Sequence, residues 1–167
     1  GRKRWRRSVK NASALLKAAA EVSTVHPAAF DDDTLPSLLR DRRDAVSDQA
    51  AFFQKRAGEW HRTNWGEFAR QVSRLSRALL DNGLKKGDYV AIMGDVSQEW
   101  AVAFMATVCA GGVAVGIYFT SSTEEVDYYL QDSDARFMFV AGEKELRVVL
   151  RASRTAGLEK IITFESD

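Results

Sequence analysis

In the second half of the chain the apolar positions keep two rhythms in turn: short unbroken apolar runs, and stretches with apolar residues three and four apart. The runs at 89–93, 113–118, 137–140 and 160–164 predict strands, and the stretches at 99–110, 123–131 and 143–152 predict helices. The run at 113–118 is rich in β-branched residues and lies between glycines and hydroxyl residues, so it reads as a parallel strand buried on both faces. Ser122 followed by Glu125 makes a capping box that opens the next helix at Thr123. Val126, Tyr129 and Leu130 share one face of that helix, and the polar turn Asp132-Ser133-Asp134 ends it. Strand, helix, strand in regular succession predicts an α/β fold: a mostly parallel sheet with right-handed crossovers and covering helices.

The first half reads differently. Residues 51–55 and 60–63, separated by Arg56-Ala57-Gly58-Glu59, predict a β-hairpin with a glycine in its loop. Asn64 with Glu67 caps a long helix whose core stripe is Phe68, Val72, Leu75 and Leu79, and Asn82-Gly83 closes it. A shorter helix at 35–43 follows Asp31-Asp32-Asp33, where negative charge suits a helix start. A metal site at that acidic run would need further oxygen ligands that its neighbours do not supply.

Composition narrows the class. A chain of 167 residues, 46% hydrophobic and 28% charged, suits one ordinary domain. The net charge of +1 gives no global reason to invoke nucleic acid. Charge is instead local: six basic residues surround Trp5 within residues 1–10, and an alanine-rich stretch follows. That arm reads as a solvated extension, as a segment drawn to anionic membrane, or as the remnant of a transit peptide. The lone Cys109 sits in an apolar helical stretch, so it reads as a small buried hydrophobe in a reducing compartment. The start at Gly1 and the end at Glu165-Ser166-Asp167 suggest that both ends are cut.

Candidate chemistry is sparse. Gly111, Gly112 and Gly116 lack the dinucleotide spacing and precede a strand instead of following one. Thr120-Ser121-Ser122-Thr123 offers hydroxyls for phosphate but has neither glycine nor lysine, so helix capping accounts for it better. His26 and His61 lie far apart, with His61 expected to face solvent, and one cysteine with two histidines is too few for a structural zinc site. No nucleophile elbow supports a Ser/His/Asp triad. Trp65, Trp100, Tyr128 and Tyr129 fall at helical positions and read as core or interface. No residue is assigned a catalytic, cofactor-binding or metal-binding role.

Five segments in order carry a resemblance: Thr34-Leu35-Pro36-Ser37-Leu38-Leu39, Thr63-Asn64-Trp65-Gly66-Glu67-Phe68, Leu84-Lys85-Lys86-Gly87-Asp88-Tyr89-Val90-Ala91-Ile92, Ser97-Gln98-Glu99-Trp100 and Gly116-Ile117-Tyr118-Phe119-Thr120-Ser121-Ser122. Together they resemble the N-terminal portion of the adenylate-forming, or AMP-binding, superfamily. Within it they are similar to the long-chain acyl-CoA synthetases, the bubblegum-type branch included. The resemblance implies a fold in which 34–167 is an incomplete N-terminal subdomain, truncated before the phosphate loop, with 1–33 as an extension. It implies a fatty acid–CoA ligase reaction: ATP and a long-chain fatty acid give acyl-adenylate, and coenzyme A then displaces AMP, with Mg²⁺ assisting.

The family's phosphate loop, adenine- and ribose-binding residues, hinge and C-terminal lysine would all follow Asp167. ATP, Mg²⁺ and coenzyme A are thus implied for the parent enzyme, and none is expected to bind this chain tightly. Its implied partner is the remainder of the synthetase, whose acyl tunnel it would help to wall. Two departures from the family pattern stand out: Phe119 where proline is usual, and Asp134 where glycine is usual. Two other readings stay open, a non-catalytic protein using its basic arm on membrane or a partner, and an adenylate-forming enzyme for another carboxylate. Nucleic acid is not an expected partner. A cytoplasmic location is expected, with membrane association and an organelle as alternatives.

Overall fold

The structure, a computed structural model, describes residues 34–56 and 58–164. The acidic run 31–33, the arm and His26 lie outside them. Helix α1 (Leu35–Val46) is opened by Thr34, whose hydroxyl accepts from the Ser37 amide while the Ser37 hydroxyl accepts from the Thr34 amide. It runs three residues past the predicted end at 43. Strands β1 (Ala50–Arg56) and β2 (Glu59–Asn64) form an antiparallel ribbon, linked by two residues, with Gly58 at a φ of +89°. That angle is open to glycine and strained for other residues, which fixes the glycine in the turn.

Helix α2 (Trp65–Asp81) begins with the expected box: Asn64 Oδ1 accepts from the Glu67 amide at 2.7 Å, and Glu67 Oε2 accepts from the Asn64 amide at 3.0 Å. Phe68, Val72 and Leu79 are buried as the four-three-four stripe requires. Phe52 of β1 meets Phe68 edge-on at 4.8 Å, which ties the ribbon to this helix.

Then come β3 (Tyr89–Met93), α3 (Gln98–Cys109), β4 (Val113–Ile117), α4 (Thr123–Ser133), β5 (Phe137–Val140), α5 (Glu143–Val149), a 3-10 turn (Ser153–Gly157) and β6 (Lys160–Thr163). The predicted helix at 143–152 is therefore shorter: it ends at Val149, and residues 150–152 turn the chain into the 3-10 segment. The four strands pair in parallel in the order β4-β3-β5-β6. Strand periodicity divides their side chains between two cores. Val90, Ile92, Phe137 and Phe139 face α1, α2 and α3, while Ala91, Met93, Met138 and Val140 face α4 and α5. Burying each of these larger side chains contributes about 1.5–3 kcal/mol.

The order also corrects one expectation. β4 is parallel, as predicted, but it is the sheet's edge, and Val113 is 42% exposed. A long apolar run marks a strand; how many neighbours it has is decided by where the crossovers lead. Here α3 carries the chain outward from β3 to β4 on one face, and α4 carries it back across β3 to β5 on the other.

Candidate functional site

In a doubly wound sheet, ligands gather beyond the carboxyl ends of the strands, where the crossovers change direction. Here that point lies between β3 and β5, whose following helices, α3 and α5, go to opposite faces. The crevice is shut. Ala141 donates its amide to the Met93 carbonyl at 2.9 Å, and a Cβ on Gly94 would come within 2.8 Å of the Ala141 Cβ. Only glycine lets the two loops approach this closely.

The opening is displaced to the β3–β4 side. Gly94, Val96, Trp100, Gly116, Ile117 and Tyr118 line a groove of about 270 Å³. Ser97 holds the α3 end of it, its hydroxyl accepting from the Trp100 amide at 3.1 Å. Trp100 stacks on Phe104 with centroids 5.6 Å apart, which fixes the indole against Gly116. Val96 and Tyr118 are 85% and 75% exposed, so the rim is apolar and uncovered. Two segments that carry the family resemblance, 97–100 and 116–122, meet in this groove. The sequence offered the segments but not their meeting, which depends on β4 lying beside β3.

A second groove, of about 400 Å³, runs along the α2–α3 face beside β6, the last strand in the order of the described sheet. Phe139, Ile162 and Phe164 form its apolar floor, with Phe164 stacked on Phe139 at 5.8 Å. Polar groups brace its wall. Thr63 donates to Gln98 Oε1 at 2.7 Å, Gln98 Nε2 donates to Gln71 at 2.9 Å, and Arg56 with Gln54 donates to the Glu99 carboxylate.

Within 120–123 the Ser122 hydroxyl serves the helix. Ser122 Oγ accepts from the Glu125 amide at 3.2 Å and Glu125 Oε2 accepts from the Ser122 amide at 2.7 Å, the predicted box. Asp134 ends α4 in the left-handed conformation, at φ 52° and ψ 40°. His61 is exposed on the ribbon. Cys109 is half-buried, less enclosed than expected, and burial pushes its thiol pKa up, away from thiolate chemistry. Trp65, Trp100 and Tyr129 are partly buried, whereas Tyr128 is 64% exposed.

With this geometry in place, comparison with known proteins is specific. Residues 39–166 match the family described as AMP-binding enzyme. The chain is 28% identical over 135 residues to the long-chain-fatty-acid–CoA ligase ACSBG2 of Xenopus laevis, covering 80% of this chain and 18% of that protein. It is 32% identical over 118 residues to ACSBG1 of Homo sapiens, covering 71% and 16%. The chain thus spans less than a fifth of these curated relatives. Among solved structures, the anthranilate CoA ligase AuaEII in complex with anthranoyl-AMP superposes with a TM-score of 0.71 at 22% identity, over 79% of this chain and 25% of that one. The N-terminal domain of FACL13 from Mycobacterium tuberculosis gives 0.70 at 22%, over 79% and 34%. At such identities the superpositions speak for the fold. Sequence match and fold agree, and the chain belongs to the AMP-binding enzyme family.

Proposed function

We propose that this chain is the N-terminal scaffold of a long-chain fatty acid–CoA ligase, inactive by itself, with 1–33 as an extension and 34–167 as part of the ligase domain. The observation that carries the reading is the meeting of segments 97–100 and 116–122 in one apolar, uncovered groove. The curated relatives named above, both long-chain-fatty-acid–CoA ligases, support the substrate class. In this reading the groove receives the remainder of the synthetase, and its apolar rim contributes to the wall of the acyl site.

ATP, Mg²⁺ and coenzyme A belong to the complete enzyme. Among the described residues no three His, Cys, Asp or Glu side chains gather as a metal site, and the Ser122 hydroxyl is engaged at the start of α4. No described helix is long and apolar enough to cross a membrane. A cytoplasmic setting, with membrane contact through residues 1–10, completes the proposal.

The test is an assay of the chain extended by the remainder of the ligase that the proposal calls for. With ATP, Mg²⁺ and coenzyme A it should convert palmitate to its thioester and leave benzoate and acetate largely untouched. A preference for benzoate or acetate would move the assignment to another carboxylate. No thioester from any of the three would remove the ligase reading.

A further inference from the structure

The ribbon register places four side chains on one outward face. Phe53 pairs with Arg62 and Lys55 pairs with Trp60, so an aromatic ring stands opposite a cation in each of two successive pairs, with the order reversed between them. The opposite face carries Phe52, Gln54, Arg56 and Thr63 and packs on α2 and α3 through Phe68, Glu99 and Gln98. Among the described residues the outer face has no such cover. Phe53 is 42% and Trp60 50% exposed, and Lys55 and Arg62 are exposed too. Arg62 is steadied by donating to the Asp48 carbonyl, which fixes its position and leaves its charge unneutralised. No ion pair among the described residues involves Lys55 or Arg62.

Two half-exposed rings and two cations without an ion pair among the described residues make a defined chemistry on one face. The rings favour the boundary between polar and apolar surroundings, and the cations favour phosphate. Among the described residues the ribbon has two strands and no third to raise a rim, so its outward face suits a planar partner better than a flexible strand to be wrapped. We propose that this face is a docking surface for anionic lipid bilayer, with Phe53 and Trp60 entering the headgroup region and Lys55 and Arg62 binding lipid phosphates. It lies on a different segment of the sequence from the arm at 1–10 and does not depend on the ligase reading.

The experiment is co-sedimentation of the 167-residue chain with vesicles of phosphatidylcholine alone and of phosphatidylcholine mixed with phosphatidylserine. The wild-type chain, Phe53→Ala/Trp60→Ala, Lys55→Ala/Arg62→Ala and the conservative Trp60→Phe and Lys55→Arg are compared, each with the arm intact. Matching urea midpoints establish that the exposed substitutions leave the fold alone. The proposal expects binding to the anionic vesicles, a loss of about fivefold for each cation removed, a comparable loss without the rings, and retention in the conservative variants. Binding unchanged by the hairpin substitutions would assign it to the arm and overturn the proposal, as would no binding or equal binding to both vesicle types. Tighter binding to a single-stranded oligonucleotide or to polyglutamate, lost in the same variants, would overturn it in favour of that partner.

Discussion

Arg136 pairs with Asp88 across 48 residues of chain, at the amino ends of β5 and β3, and extends the same guanidinium to Glu159 just before β6 at 2.7 Å. Asp88 Oδ2 also accepts from the Lys85 amide at 2.7 Å, which folds the loop that feeds β3. One arginine thus ties three neighbouring strands at the end opposite the candidate groove. It is also the least exposed basic side chain in any ion pair of the described residues, at 28%. Arg136→Ala should lower the urea midpoint clearly more than Arg77→Ala, whose i,i+4 pair with Asp81 leaves it 78% exposed. Equal effects would mean that the three-strand tie contributes nothing beyond a surface pair.

The same cluster sets a pH dependence. The Arg136 guanidinium, through its hydrogen bonds, holds the Glu159 carboxyl below its ordinary value of 4.5. A carboxylate with a lowered folded pKa contributes stability that is fully present above its unfolded value and lost as pH falls through the folded one. The urea midpoint of the wild-type chain should therefore fall more steeply below about pH 4.5 than that of Glu159→Gln. Parallel curves would remove Glu159 from the account.

Phe119 occupies the second position of a turn in which the Ser121 amide donates to the Tyr118 carbonyl at 3.0 Å. This is a position that favours proline, whose fixed φ removes freedom from the unfolded chain. Phe119→Pro should raise stability by about 0.4–1 kcal/mol, reduced by the loss of the Lys144 contact over the ring at 6.0 Å. Thermal unfolding measures it.

Asp134 is the one non-glycine with positive φ among the described residues. A left-handed conformation costs an ordinary L-residue about 1–2 kcal/mol, and aspartate recovers only part of that through local hydrogen bonding. Asp134→Gly should gain about 0.5–1 kcal/mol, whereas Asp134→Val should lose more than that. Urea unfolding of both variants checks the signs.

Gly94 and Ala141 form a matched pair at the closed crevice. Gly94→Ala should destabilise by about 1–3 kcal/mol, and adding Ala141→Gly should restore most of it, since the clash is Cβ against Cβ. A double-mutant cycle with no coupling would show that the loops can move apart freely.

How legible this was in the sequence differs by kind of feature. The capping boxes at Asn64 and Ser122, the stripe from Phe68 to Leu79 and the strands at 89–93 and 137–140 follow from local pattern, and they form as expected. Thr34 as the first cap is hard to see in the pattern, because its Thr-x-x-Ser box has a serine in place of the usual glutamate or glutamine. The edge position of β4, the shut crevice at Gly94 and the Arg136 tie depend on strand order. Strand order is a property of crossovers, so no window of residues displays it. The groove was half legible: its segments carry the family resemblance, while their contact arises only when Trp100 packs against Gly116.

The central claim is that these residues are scaffold and carry none of the ligase chemistry. Incubating the 167-residue chain alone with ATP, Mg²⁺, palmitate and coenzyme A, and measuring AMP and palmitoyl-CoA, tests it most directly. The account predicts neither product above an enzyme-free control, under conditions where the extended chain gives both. AMP-dependent thioester formation by the short chain would contradict it.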